Sequence, residues 1–250
     1  MSQQPSDQPD PTRRGALGVA AAAVAGVAIA PGIHLIEVAQ ARPAGEPASK
    51  SVRWGMLIDA SRCESGCDAC VSACNRENAL NSAVEPRQKP QWIRKITLHE
   101  VKTDRKVNLP MMCQHCAEPP CVDVCPTGAS FKRADGLVLV DRHLCIGCRY
   151  CMMACPYKAR SFVHEPLTAQ NPSVPRGKGC VESCTMCVHR IDQGGTPACV
   201  EACAREGHAA ILFGDLNDPN SAIARKVHDV ATTQVRADLR LDPGVRYQGL

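Results

Sequence analysis

CIGCRYCMMACPY, residues 145–157, sets cysteines at positions 145, 148, 151 and 155 and follows the last with Pro156. Three cysteines two residues apart can each turn a thiolate onto one centre, while the backbone N–H groups between them face the same point. The fourth stands four residues further on, where proline ends any helical turn. It is displaced from the loop formed by the first three.

That order, Cys-x2-Cys-x2-Cys-x3-Cys-Pro, is the run that wraps a [4Fe–4S] cubane in bacterial ferredoxins, whose fourth cysteine ligates a neighbouring cluster. A second motif is therefore required elsewhere. Structural zinc takes separated Cys-x2-4-Cys pairs and fits three cysteines in a row poorly.

The chain has 250 residues, 17 cysteines and only 3% aromatic residues. So few rings and so many thiols suggest that inorganic clusters occupy space a hydrophobic core would normally fill. Disulfide scaffolds are typically short and do not gather their cysteines in four tight sets. The formal charge of +4 gives no reason to expect nucleic acid, because cluster-bound thiolates add negative charge and the basic residues are dispersed.

Residues 1–41 have the layout of a twin-arginine export signal: Arg13-Arg14, an apolar run from Ala16 to Ala30, and an A-x-A site at Ala39-Gln40-Ala41. Cleavage after Ala41 is expected; retention as an anchor is the competing reading. Such a route carries folded cargo, which suits a protein whose clusters are inserted before export. Residues 42–51 read as a linker, and 52–218 as the cluster domain.

Its first motif is Cys63-x3-Cys67-x2-Cys70-x3-Cys74, entered by a strand over Val52–Asp59. A cysteine-free insertion, 79–112, carries a hairpin expected to cover a cluster or a sheet edge. The second motif is Cys113-x2-Cys116-x4-Cys121-x3-Cys125-Pro126, followed by a hairpin turning at Asp135-Gly136. The fourth is Cys184-x2-Cys187-x11-Cys199-x3-Cys203. Residues 219–250 read as a helix over Ser221–Val230 and a polar tail lying along a partner.

The motifs repeat one another. Asp59 stands four residues before Cys63 as Asp141 does before Cys145, and Cys125-Pro-Thr-Gly-Ala129 answers to Cys155-Pro-Tyr-Lys-Ala159. The expected fold is α+β, with duplicated two-cluster ferredoxin-like units, short antiparallel hairpins and helices. If fourth cysteines are exchanged, adjacent motifs two and three pair, and motifs one and four pair by closing the chain on itself. The cofactors are then four [4Fe–4S] clusters: Cys63, Cys67 and Cys70 with Cys203; Cys113, Cys116 and Cys121 with Cys155; Cys145, Cys148 and Cys151 with Cys125; and Cys184, Cys187 and Cys199 with Cys74. Cys180 is the spare thiol, or an alternative ligand in place of Cys199.

From Val52 to about Asp218 the chain resembles the iron–sulfur electron-transfer subunits of molybdopterin oxidoreductases, such as dimethyl sulfoxide and polysulfide reductases and formate dehydrogenase. MMCQHCAEPPCVDVCPTGASFKRADG, CIGCRYCMMACPYKARSFVHEP and CTMCVHRIDQGGTPACVEAC are similar above all to the DsrO family, exported iron–sulfur subunits of membrane complexes linked to dissimilatory sulfite reductase. The resemblance implies an integral-membrane, quinone-interacting partner subunit, cytochrome partners and attachment to the membrane through them. It also implies a periplasmic relay with no catalytic site of its own. The beta subunit of a periplasmic molybdopterin oxidoreductase is the alternative.

His115 reads as a neighbour of the ligands or a surface residue rather than a ligand. Met111, Met112, Met152 and Met153 read as soft packing around clusters. Arg149, Tyr150, Lys158 and Arg160 are equally compatible with tuning a potential, docking a partner or plain surface. No glycine-rich nucleotide loop, nucleophile triad or molybdopterin domain is present in the sequence.

Overall fold

Each cysteine motif is entered or left by a short strand, and those strands pair so as to bring distant motifs together. The computed structural model describes residues 47–80, 89–168 and 170–250. The export signal expected at 1–41 and the first half of the linker, 42–46, fall outside them. All the described residues belong to one unit, Val38–Leu250.

Strand β1 (Trp54–Asp59) leads into the first motif, and helix α1 (Ala69–Glu77) carries that motif's last two cysteines. A hairpin follows, β2 (Ile93–Glu100) with β3 (Arg105–Met112), in antiparallel register from Ile93↔Met112 to Glu100↔Arg105. Helix α2 (Pro120–Asp123), β4 (Ser130–Lys132), β5 (Val138–Val140), α3 (Tyr150–Ala154) and β6 (Arg160–Phe162) span motifs two and three. Then come β7 (Val181–Ser183), α4 (Val188–Ile191), α5 (Ala198–Arg205), β8 (Ile211–Asp215), α6 (Ala222–Asp229) and β9 (Val245–Gln248). These short helices and two- or three-stranded sheets, antiparallel but for one pair, are the α+β pattern read from the sequence.

In two cases the strand leaving a motif pairs with the strand entering its partner, while β6, after motif three, pairs with β7, before motif four. β8, after motif four, runs antiparallel to β1, before motif one; β4, after motif two, runs antiparallel to β5, before motif three. The matched aspartates make matching turns: Asp59 Oδ1 accepts from Ser61 N–H at 3.1 Å and Asp141 Oδ1 from His143 N–H at 2.7 Å. Each carboxylate fixes the bend that carries the chain from its strand into its cysteine loop.

The C-terminal tail is not a free polar arm. It ends in β9, which adds to the sheet in the order β8-β1-β9, parallel to β1 from Met56↔Val245 to Asp59↔Gln248. Residues 219–250 are therefore part of the cluster domain, a correction to the boundary expected at 218. Val245 and Tyr247 are wholly buried and their neighbours only partly so, the alternation of a strand with one face on the core. At Gly55 a Cβ would collide with Leu216 and with the Gly244 carbonyl, so the close approach of the C-terminal segment needs glycine there.

The insertion hairpin acts as a clamp. Lys95 Nζ donates to the carbonyls of Glu64 and Cys67 in the first motif, while Arg94 donates to those of Tyr157 (2.7 Å) and Lys158 (2.8 Å) after the third. Helix α6 is capped by Ser221, whose hydroxyl accepts from Ala224 N–H at 3.1 Å and donates to Asp215 O at 2.6 Å. The buried Tyr247 hydroxyl donates to Pro110 O at 3.1 Å and accepts from Gln114 Nε2 at 3.2 Å. Tyr247→Phe strips both partners, and a denaturant titration is expected to show a loss of about 1–2 kcal/mol.

Candidate iron–sulfur centres

Two cysteines four residues apart on a helix lie one turn apart on one face. α1 presents Cys70 and Cys74 this way, and α5, packed against it, presents Cys199 and Cys203. α2 and α3 pack likewise: Cys121 lies in α2 with Cys125 just after it, and Cys151 lies in α3 with Cys155 just after it. Each helix therefore reaches two neighbouring hollows, and each hollow takes one thiol from the partner motif.

Cys63, Cys67, Cys70 and Cys203 line one hollow, roofed by Pro110 of the hairpin. Cys113, Cys116, Cys121 and Cys155 line a second, and Cys125, Cys145, Cys148 and Cys151 a third. Their free volumes, counting the part open to solvent, are about 330, 320 and 270 Å³. Cys74, Cys184, Cys187 and Cys199 form a fourth set, close enough that the charge of one thiolate bears on the others.

None of the 17 cysteines is joined in a disulfide. Among the described residues no three His, Cys, Asp or Glu side chains converge closely enough to hold one metal ion. Tetrahedral zinc, with Zn–S bonds of about 2.3 Å, needs sulfurs only about 3.8 Å apart. Four sulfurs set around a hollow fit a multinuclear cluster better than a single ion.

Electrostatics agrees with that fit. Burial pushes the thiols of Cys70, Cys74, Cys113 and Cys116 up to about 12, and those of Cys184 and Cys199 well above their usual value. Such groups hold no charge at neutral pH without iron to replace the proton. At Cys125 burial is outweighed by hydrogen bonds from Ser130, Thr127 and Ala129, so its pKa is lowered. Backbone N–H groups already point at sulfur: Ser130 to Cys125 (3.3 Å), Val181 to Cys145 (3.5 Å), Met186 to Cys184 (3.4 Å) and Ala210 to Cys203 (3.2 Å).

The cluster loop of residues 145–149 also needs its glycine. Gly147 has φ +73°, and a Cβ there would collide with the Gly179 carbonyl oxygen. The same close approach brings Cys180 to this loop, where its thiol donates to Arg142 O at 3.2 Å and lies against Cys145. Cys180 is thus beside Cys145, and the charged groups that act on its thiol are Cys145, Arg142 and Glu182.

Of the other candidates, Met111, Met112 and Met152 pack in or on the core, but Met153 is 76% exposed and packs nothing. Arg149 is exposed and lies over the Phe162 ring, 4.0 Å from its centroid. Lys158 and Tyr150 are exposed, whereas Arg160 is buried. The Arg160 guanidinium donates from one nitrogen to Cys121 Sγ (3.1 Å) and Ser130 Oγ (2.8 Å), and Cys151 also lies within its hydrogen-bonding reach. Its other two nitrogens are buried without partners. A buried cation beside thiols, with no carboxylate paired to it among the described residues, calls for anionic sulfur around it.

Residues 105–215 match the model of the 4Fe-4S dicluster domain. An alignment of 266 positions with the Hdr-like menaquinol oxidoreductase iron-sulfur subunit 1 of Archaeoglobus fulgidus is 41% identical, covering 96% of this chain and 98% of the relative. The chain belongs to the family of 4Fe–4S iron–sulfur subunits of oxidoreductases. A tetrathionate reductase subunit of Salmonella typhimurium is 39% identical over 88% of this chain and 83% of its own length. A putative dimethyl sulfoxide reductase iron-sulfur subunit of Halobacterium salinarum is 35% identical over 78% of each. With the family come [4Fe–4S] cofactors, and the seventeen cysteines accommodate four of them.

His115 does not line the second hollow, whose wall skips from Gln114 to Cys116. It is 2% exposed, its Nδ1 accepts from Val138 N–H at 3.0 Å, and burial followed by the charge of Arg160 lowers its pKa from 6.5 to about 4. The unfolded chain therefore binds this proton more tightly than the folded one, and stability falls as pH drops from 6.5 towards 4. The slope is up to about 1.4 kcal/mol per pH unit. His115→Gln retains an acceptor for Val138, and its denaturation midpoint is expected to fall less steeply than that of the parent across this window.

Proposed function

We propose that this chain is a one-electron relay with four [4Fe–4S] clusters. The ligand sets are Cys63, Cys67, Cys70 and Cys203; Cys113, Cys116, Cys121 and Cys155; Cys125, Cys145, Cys148 and Cys151; and Cys74, Cys184, Cys187 and Cys199. The observation that carries this reading is the exchange of cysteines between paired motifs, which places one thiol from each motif in its partner's set. The matching strand and turn arrangements around motifs one with four and two with three support a duplicated two-cluster unit.

Bound clusters supply the transfer of single electrons. The chain's residues hold iron through thiolates, aim N–H groups at sulfur, and keep water from most of each site. In this reading substrate chemistry is carried out by partner subunits.

The relay works between a quinone-interacting integral-membrane subunit and redox partners including cytochromes, in an exported complex of dissimilatory sulfur metabolism like that of the DsrO family. The name of the Archaeoglobus fulgidus relative, a menaquinol oxidoreductase subunit, supports a quinol-linked partner. Arg13-Arg14 and the apolar run after them support export, with the chain attached to the periplasmic face of the membrane through its complex. Among the described residues no helix is long and apolar enough to cross a membrane.

Cys148 is the one exposed cysteine, and Leu144, Ile146, Tyr150 and Met153, near it in sequence, are exposed as well. These exposed apolar side chains support a partner covering the third site. The tetrathionate and dimethyl sulfoxide reductase relatives favour a second reading, the beta subunit of a periplasmic molybdopterin oxidoreductase. Anaerobic purification from membranes separates the two. A quinone-interacting subunit with cytochromes supports the first, and a molybdopterin-bearing large subunit supports the second.

Iron analysis of the full chain is expected to give about sixteen irons. Cys199→Ser is expected to lose about four of them, while Cys180→Ser keeps all. Iron loss in the Cys180 variant equal to that at Cys199 would contradict the ligand sets.

A further inference from the structure

Arg160 is 6% exposed and sits where the second and third cysteine sets meet. Its Nη2 donates to Cys121 of the second set at 3.1 Å, Cys113 of that set feels its charge, and Cys151 of the third set lies within hydrogen-bonding reach. Ser130 Oγ accepts from the same nitrogen at 2.8 Å and holds the guanidinium in place. Nε and Nη1 have no partner, and no carboxylate among the described residues pairs with the side chain. A guanidinium stays charged at any working pH, and its planar fork can address two groups at once. Leaving such a charge buried without an anion would be strongly unfavourable.

We infer that Arg160 is a positioning residue shared by two clusters, a single buried cation that raises the reduction potentials of both. The inference rests on the four-cluster reading above. Reduction adds one electron, and so one negative charge, to a cluster; a fixed positive charge in a low-dielectric site favours that more negative state. Because the same guanidinium faces both sets, one cation acts on two successive stations of the relay. The other two sets face other cations, Lys95 at Cys63 and Arg190 at Cys187, so the effect of Arg160 itself is confined to the second and third sites.

The test is an EPR-monitored dithionite titration of the anaerobically purified full chain, with iron measured on each sample. Arg160→Gln is expected to keep its iron and to lower two of the midpoints, each by at least a tenfold shift in the one-electron equilibrium, about 59 mV. The other two midpoints stay in place. Arg160→Lys, which keeps the charge, is expected to recover part of the shift. Unmoved potentials, movement of one cluster alone, or a lysine variant identical to the glutamine one would overturn the inference. If the glutamine variant loses iron, Ser130→Ala decides the matter: a smaller fall of the same two midpoints supports the shared cation, and no change refutes it. Fewer than four reducible clusters in the parent chain would instead count against the four-cluster reading.

Discussion

Two thiols one helical turn apart, facing two different hollows, are the constraint on which the rest of the structure depends. On α1 and α5 these are Cys70 with Cys74 and Cys199 with Cys203, all buried. A helix face fixes the separation of such a pair within narrow limits. Neighbouring hollows are therefore held at a set distance, and neither can be completed without its neighbour's motif. The close packing of α1 on α5 and of α2 on α3 follows from this shared use of cysteines, as does the pairing of β1 with β8 and of β4 with β5.

The same constraint explains the composition. The buried cluster of side chains is built in large part from the cysteines themselves, with Met56, Ile58, Leu80, Leu109, Leu137 and Tyr247 around them. Buried thiols with raised pKa values add little cohesion as bare side chains, so iron binding and folding are linked. The β2–β3 hairpin serves this arrangement from outside. Arg94 and Lys95, adjacent on one strand, reach backbone carbonyls beside two different motifs.

The cysteine spacing was legible because it is local: a run of four in thirteen residues states its own chemistry, and the fourth cysteine points to a partner motif. The strand into motif one, the hairpin before motif two and the turn at Asp135-Gly136, where Gly136 has φ +86°, were readable for the same reason, whereas β7 before motif four was not read. β9 was not. Val245 to Gln248 is four residues long and gains its meaning from a parallel partner almost two hundred positions away. Arg160 was named as one of four basic or aromatic candidates with nothing in the sequence to separate them. Its neighbours Lys158 and Arg149 are exposed, and only the meeting of two motifs in space gives it a buried place between their sulfurs. Cys180 shows how spacing can leave two readings open: its distance to Cys184 imitates the start of motif one, whereas the close approach at Gly147 sets it beside Cys145.

The place of β9 bears on how the protein is made. Residues 113–155 contain everything needed to close two cysteine sets among themselves, and emerge from the ribosome together. The first set waits for Cys203, and the strand that leads into it stays with one bare edge until Val245–Gln248 arrive. An unpaired edge is a place where other chains add on. The beginning of the domain is therefore sealed from far along the chain, and loss of Val245–Gln248 would keep every cysteine yet leave β1 open to strangers.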